Sequence, residues 1–77
     1  MPTVLRAHGL RFMIFVGDHP PPHVHAIGDG SAKIALDGPA ARVMENKGLS
    51  KADVKRALDA VEVERTRLLR IWKSIHG

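Results

Sequence analysis

From Leu49 to His76 the chain carries neither proline nor glycine. These are the strongest local breakers of regular structure, so a stretch this long without them favours one uninterrupted helix. "GLSKAD" marks its start: Ser50 can cap the free amides of the first turn, and Asp53 stands three residues on in a capping-box pattern. Val54, Leu58, Val61, Leu68, Trp72 and Ile75 then recur at spacings of four and three with one gap, supplemented by Ala57 and Ile71. That spacing lays them along one helix face. Lys55, Arg56, Asp59, Glu62, Arg67, Arg70 and Lys73 fall off it. At 1.5 Å per residue a helix over 50–76 is roughly 38 Å long, enough to cross a small sheet and overhang it. The gap in the stripe is Arg65, which would pair with a carboxylate, snorkel past the core edge or reach into a site.

A helix with one apolar face needs a second layer, and the first half of the chain reads as a sheet. Val4 to His8 is a short apolar-rich run ended by Gly9. Leu10 to Val16 alternates, with Leu10, Phe12, Ile14 and Val16 against Arg11, Met13 and Phe15, as a two-faced strand does. Pro20 to Pro22 should form a stiff extended connector, because proline fixes φ and donates no hydrogen bond. His23 to Ile27 follows as a third strand, and Gly28-Asp29-Gly30 signals a hairpin. Ser31 to Leu36 alternates again until Asp37-Gly38-Pro39 stops it. Residues 40–49 fit a short fifth strand or a helical turn. The expected fold is therefore α+β: a small antiparallel sheet of four to five strands packed on one long C-terminal helix. All 77 residues make a single domain, with a sheet half (1–38), a connector (39–49) and a helix (50–76). A chain this short buries roughly 60% of its unfolded surface, so two layers are its limit.

The chain has no cysteine, which excludes disulfides, thiol nucleophiles and cysteine metal sites. The longest apolar run, Phe12 to Val16, falls far short of the roughly 18 residues that a membrane span needs. There is no signal-like start, so a cytoplasmic location and no membrane partner are expected. A formal net charge of +4 favours acidic partners, protein or nucleic acid. Phe12, Phe15 and Trp72 are the only aromatics of their kind, too few for the stacking platforms of single-strand binders.

Alternation also assigns the sheet faces. Leu5, Ala7, Leu10, Phe12, Ile14, Val16, Val24, Ala26, Ala32, Ile34 and Leu36 would meet the helix. The other face would carry Arg6, His8, Arg11, Met13, Phe15, His23, His25, Ile27 and Lys33, a set without an acid, since Asp18, Asp29 and Asp37 all fall in turns. His23 and His25 lie two apart on a strand and point the same way; with His8 they would converge on one surface. Phe15 and Ile27 would be exposed there. His23, His25, Arg11 and Lys33 are the candidate catalytic residues, and Arg6, His8, Phe15 and Ile27 the candidate binding residues.

Several chemistries suit such a face. His-x-His on a strand can hold zinc, copper, iron or nickel, with His23 and His25 as ligands and His8, His19 or Asp18 completing the set; no resident cofactor is otherwise expected. "PHVHAI" also looks like the histidine pair of rolling-circle nucleases, in which a tyrosine attacks the phosphate, but this chain has no tyrosine and is short for that fold. Metal-independent RNA cleavage needs a general base, a general acid and a cation at the phosphate, which His23, His25 and Arg11, Arg6 or Lys33 would supply. Docking without chemistry needs only the arginine-rimmed apolar face. Phosphate contacts to RNA or DNA need only its charge; a single helix gives no helix-turn-helix. The helix end around Leu68, Leu69, Ile71 and Trp72 could also support a homodimer.

"MPTVLR", "GLRFMIF", "PPHVH", "AKIAL" and "NKGLS", in this order, resemble the bacterial family known as domain of unknown function 4160. The resemblance spans nearly the whole chain; many relatives carry valine where Ala26 stands here. Genes of this family are often found beside those of domain of unknown function 2442, in what looks like a toxin–antitoxin arrangement. The resemblance thus implies a cytoplasmic prokaryotic protein with a small proteinaceous, antitoxin-like partner. It supplies no established catalytic residue.

Overall fold

A computed structural model describes residues 3–76. Five strands, β1 (Thr3–Ala7), β2 (Leu10–Met13), β3 (His23–Ile27), β4 (Ser31–Ala35) and β5 (Arg42–Lys47), precede one helix, α1 (Lys51–His76). The strands form one antiparallel sheet in chain order, β1-β2-β3-β4-β5. This is the expected α+β fold, and the undecided segment after Pro39 supplies the fifth strand.

Local chemistry explains each joint. The β1–β2 hairpin closes through His8 and Gly9, whose φ angles are +55° and +76°. Two successive left-handed residues are what a two-residue hairpin turn requires, because their twist matches that of the strands. β3 and β4 join through Gly28-Asp29-Gly30, where the Gly28 amide donates to the Gly30 carbonyl at 2.9 Å. Gly30 also passes against the backbone of Lys47 and Gly48 so closely that a Cβ would lie 2.4 Å from it. The Asn46 side chain braces the β5–α1 corner, donating to the Leu49 carbonyl and accepting from the Leu49 amide, both at 3.0 Å. Ser50 caps α1 as expected: its hydroxyl accepts from the Asp53 amide at 3.1 Å. No helix of the described residues is long and apolar enough to cross a membrane.

The helix-side parity holds through β2, β3 and β4. Phe12, Ile14, Val24, Ile34 and Leu36 are fully buried against Ala57, Val61 and Leu68. Each such side chain contributes roughly 1.5–3 kcal/mol of burial. Val16 departs from the expectation: pairing stops at Met13, Val16 enters a turn, and it is 72% exposed. Leu68 and Trp72 are buried within their own chain, with Leu69 and Ile71 half-buried, so the first two belong to the core and not to an overhanging helix end. Arg65 spans to the loop between β4 and β5. It donates to the carbonyls of Leu36, Gly38 and Pro39 at 3.2, 2.8 and 3.2 Å and pairs with Glu62 at 3.3 Å. The gap in the helix stripe is thus filled by a guanidinium satisfying loop carbonyls.

Candidate functional site

The sheet face turned away from α1 is organised in cross-strand rows. One runs Arg6–Arg11–Ile27–Ser31–Lys47, the next Met13–His25–Lys33–Glu45. Glu45 corrects the expectation of an acid-free face. A register shift between Lys33 and Ile34 brings it opposite Lys33, and it pairs with Lys33 and with Lys47, each at 3.7 Å. The exposure of these groups leaves such pairs worth little.

A second acid comes from the loop before β3. Residues Phe15 to Asp18 close a turn at both ends: the Asp18 amide donates to the Phe15 carbonyl, and the Phe15 amide donates to Asp18 Oδ2, both at 3.1 Å. This turn presents the Asp18 carboxylate to β3. His25 Nε2 lies 3.1 Å from each Asp18 oxygen, and His23 Nε2 lies 3.6 Å from Oδ2. Partial burial pushes the Asp18 carboxyl pKa up. The hydrogen bond from His25, the Phe15 amide and the two nearby imidazoles outweigh that and hold it below its ordinary value. Asp18, His23 and His25 each offer one donor atom within 4.8 Å of the other two, so these residues could hold a metal ion.

Aromatic packing fixes the cluster. Phe15 meets the His25 ring edge-on at 4.6 Å, and the His23 and His25 rings lie 5.1 Å apart. His23 in turn lies 5.2 Å from Trp72, which stacks on His76 at 3.7 Å. His23 Nδ1 stands 2.8 Å from the Pro21 carbonyl. The proline run therefore does more than stiffen the approach to β3: it supplies the acceptor that orients the first histidine.

The expected site residues divide into two groups. His23 and His25 share one face with Lys33, but His23 is only 5% exposed, beneath Trp72. Its expected solvent-facing position is corrected, because the end of α1 covers the start of β3. Phe15 is half-buried against His25 rather than exposed. His8 does not join the other histidines: it sits in the β1–β2 turn, at the opposite end of the sheet from His23. There it lines an open depression of about 450 Å³ with Arg6, Arg11, Ile27 and Asp29. Ile27 is half-buried, whereas Arg6 and Arg11 are exposed and form no ion pair among the described residues. Sequence reasoning placed Asp18 only among possible third ligands and missed Trp72, Glu45 and the Pro21 carbonyl. The available signal for Asp18 was a stiff proline connector that returns the loop to its own strand.

Residues 9–73 match the family model described as Domain of unknown function (DUF4160). No curated protein and no solved structure matches the chain. With most of its length matched, including the histidine strand and nearly all of the helix, the chain belongs to the DUF4160 family.

Proposed function

We propose that this protein is an interaction module that docks an acidic surface of a small cognate protein, as one component of a toxin–antitoxin-like pair. The observation that carries this reading is the pair Arg6 and Arg11. They are direct cross-strand partners, both exposed, beside the half-buried Ile27. Like charges directly opposite one another on a sheet are destabilising. An acidic partner would neutralise them while covering the apolar residue beside Arg11, as interfaces enriched in arginine do. The remaining cations of the face, Lys33 and Lys47, already share Glu45, which narrows the proposed footprint to the β1–β2 end.

The resemblance points to a domain of unknown function 2442 protein, of the kind often encoded beside members of this family, as the partner. Titrating this protein with the purified neighbour should give a salt-sensitive complex. Arg6→Glu with Arg11→Glu should weaken it at least tenfold. A complex unaffected by those substitutions, or no complex at all, overturns the reading. Metal-independent RNA cleavage by His23 and His25 has less support, since a buried His23 cannot meet a phosphate unless the end of α1 moves. Growth arrest on expression, abolished by His25→Ala with the fold intact, would restore it. Retention on RNA that falls steeply with salt, without any protein partner, would instead assign the arginines to phosphates.

A further inference from the structure

We infer that Asp18, His23 and His25 form a binding site for one divalent transition-metal ion of the zinc class, a role that the docking surface at the other end of the sheet does not use. The argument begins with His23. Its Nδ1 lies 2.8 Å from the Pro21 carbonyl oxygen. A carbonyl oxygen only accepts, so Nδ1 carries the hydrogen. In the neutral ring, Nε2 is then left with a lone pair. That lone pair stands 3.6 Å from Asp18 Oδ2, which is itself an acceptor, and the His23 side chain is 6% exposed. Two acceptors facing each other need a hydrogen donor or a cation between them, and where the His23 side is so poorly hydrated a cation is the stronger bridge. His25 Nε2 meets the same carboxylate at 3.1 Å; on binding an ion it would give up the hydrogen it donates there, with Nδ1 keeping the ring's proton, so a third ligand atom converges on that point.

The surroundings suit an ion. A histidine whose second nitrogen donates to a backbone carbonyl is the usual outer arrangement of a metal-ligating imidazole, because it fixes the tautomer and the ring orientation. Trp72 on one side and Phe15 on the other hold the two rings, so little ordering remains to be done on binding. The carboxylate is held by the Phe15 amide. Asp18 and His25 side chains keep 14% and 17% exposure, which gives an ion a way in. Two imidazoles and one carboxylate, without sulfur, select zinc, cobalt, nickel, iron or copper over magnesium and calcium. Three protein ligands leave a coordination position for water or for an incoming group, as in reactive rather than purely structural zinc sites.

A proton could serve in place of the metal, with one imidazole charged beside Asp18, and the experiment must separate the two. The full chain, stripped with chelator, is titrated with Zn²⁺ alone by calorimetry and followed by ¹⁵N chemical shifts of the imidazole nitrogens. One Zn²⁺ per chain is expected. The Nε2 signals of His23 and His25 should shift, with His23 Nδ1 remaining protonated. Asp18→Asn and His25→Ala should each weaken Zn²⁺ binding by more than the roughly 10- to 100-fold that loss of an outer-shell partner costs. His8→Ala and His19→Ala should leave it unchanged. Should Asp18→Asn fail to fold, the ring-nitrogen shifts of the unaltered protein decide alone. No saturable Zn²⁺ binding, or binding that shifts the nitrogens of His8, His19 or His76 instead, overturns the assignment. The docking test contains no metal, so either reading can fail without the other.

Discussion

Replacing Arg65 with methionine tests whether the polar gap in the helix stripe is a structural tie. Methionine keeps the length of the apolar stem and removes the guanidinium. Four contacts go with it: three loop carbonyls, of Leu36, Gly38 and Pro39, and the pair with Glu62. Deleting a charged partner costs about 1.5–3 kcal/mol per buried hydrogen bond. The structure discounts most of that. Gly38 and Pro39 are exposed, so water can replace the arginine there, whereas Leu36 is fully buried and its carbonyl has poorer access to water. The Arg65 side chain is 22% exposed and Glu62 is 48% exposed, so their pair adds little. One bond near full value and two at a small fraction give a loss of roughly 2–3 kcal/mol. In a domain of this size that lowers Tm by about 8–24 °C. Arg65→Lys keeps the charge and can reach one or two carbonyls, so it should lose about half as much. Urea unfolding with matched thermal melts measures both. If methionine proves as stable as arginine, or lysine proves no better than methionine, the carbonyl tie is refuted and the arginine is merely tolerated at the core edge.

Other substitutions probe the joints and the loop. Gly30→Ala would drive a Cβ into the Lys47–Gly48 backbone and should cost about 3 kcal/mol or more by equilibrium unfolding. Gly17→Ala meets nothing within 4 Å and should be near neutral. Ser50→Ala removes the acceptor for the Asp53 amide and should lower stability by about 1 kcal/mol, read from the urea midpoint. Asp18 supplies a pH dependence with a definite sign. Its folded pKa lies below the ordinary aspartate value of about 3.9. Its contribution is therefore complete above that value and is lost as pH falls through the lower, folded one. Asp18→Asn should flatten the acid limb of the stability profile below the ordinary aspartate value; an unchanged limb would show that other carboxylates carry it.

The sequence by itself determined what depends on neighbours along the chain. Side chains alternate every second residue on a strand and recur every three to four on a helix, so β3, β4 and α1, the Ser50 cap and the core residues Phe12, Val24, Ile34 and Leu68 could all be read directly. That His25 and Lys33 share one face followed from the same rule, whereas their direct cross-strand pairing is a matter of register. Tertiary structure alone decided whatever depends on groups distant in sequence or on where pairing stops. β5 has no buried residue to announce it and exists because β4 offers it an edge. β2 ends at Met13 although its alternation continues to Val16, since a turn there serves to bring Asp18 back to the histidines. His23 has the parity of an open-face residue yet is buried, because α1 is long enough to lay Trp72 over the start of β3. His8, grouped with the other histidines by parity, is carried to the far end of the sheet by the direction of β1 and β2. Periodicity specifies the side of a layer a residue occupies, but closeness within that side is set by register and strand length, which arise only when the whole sheet pairs and the helix closes over it.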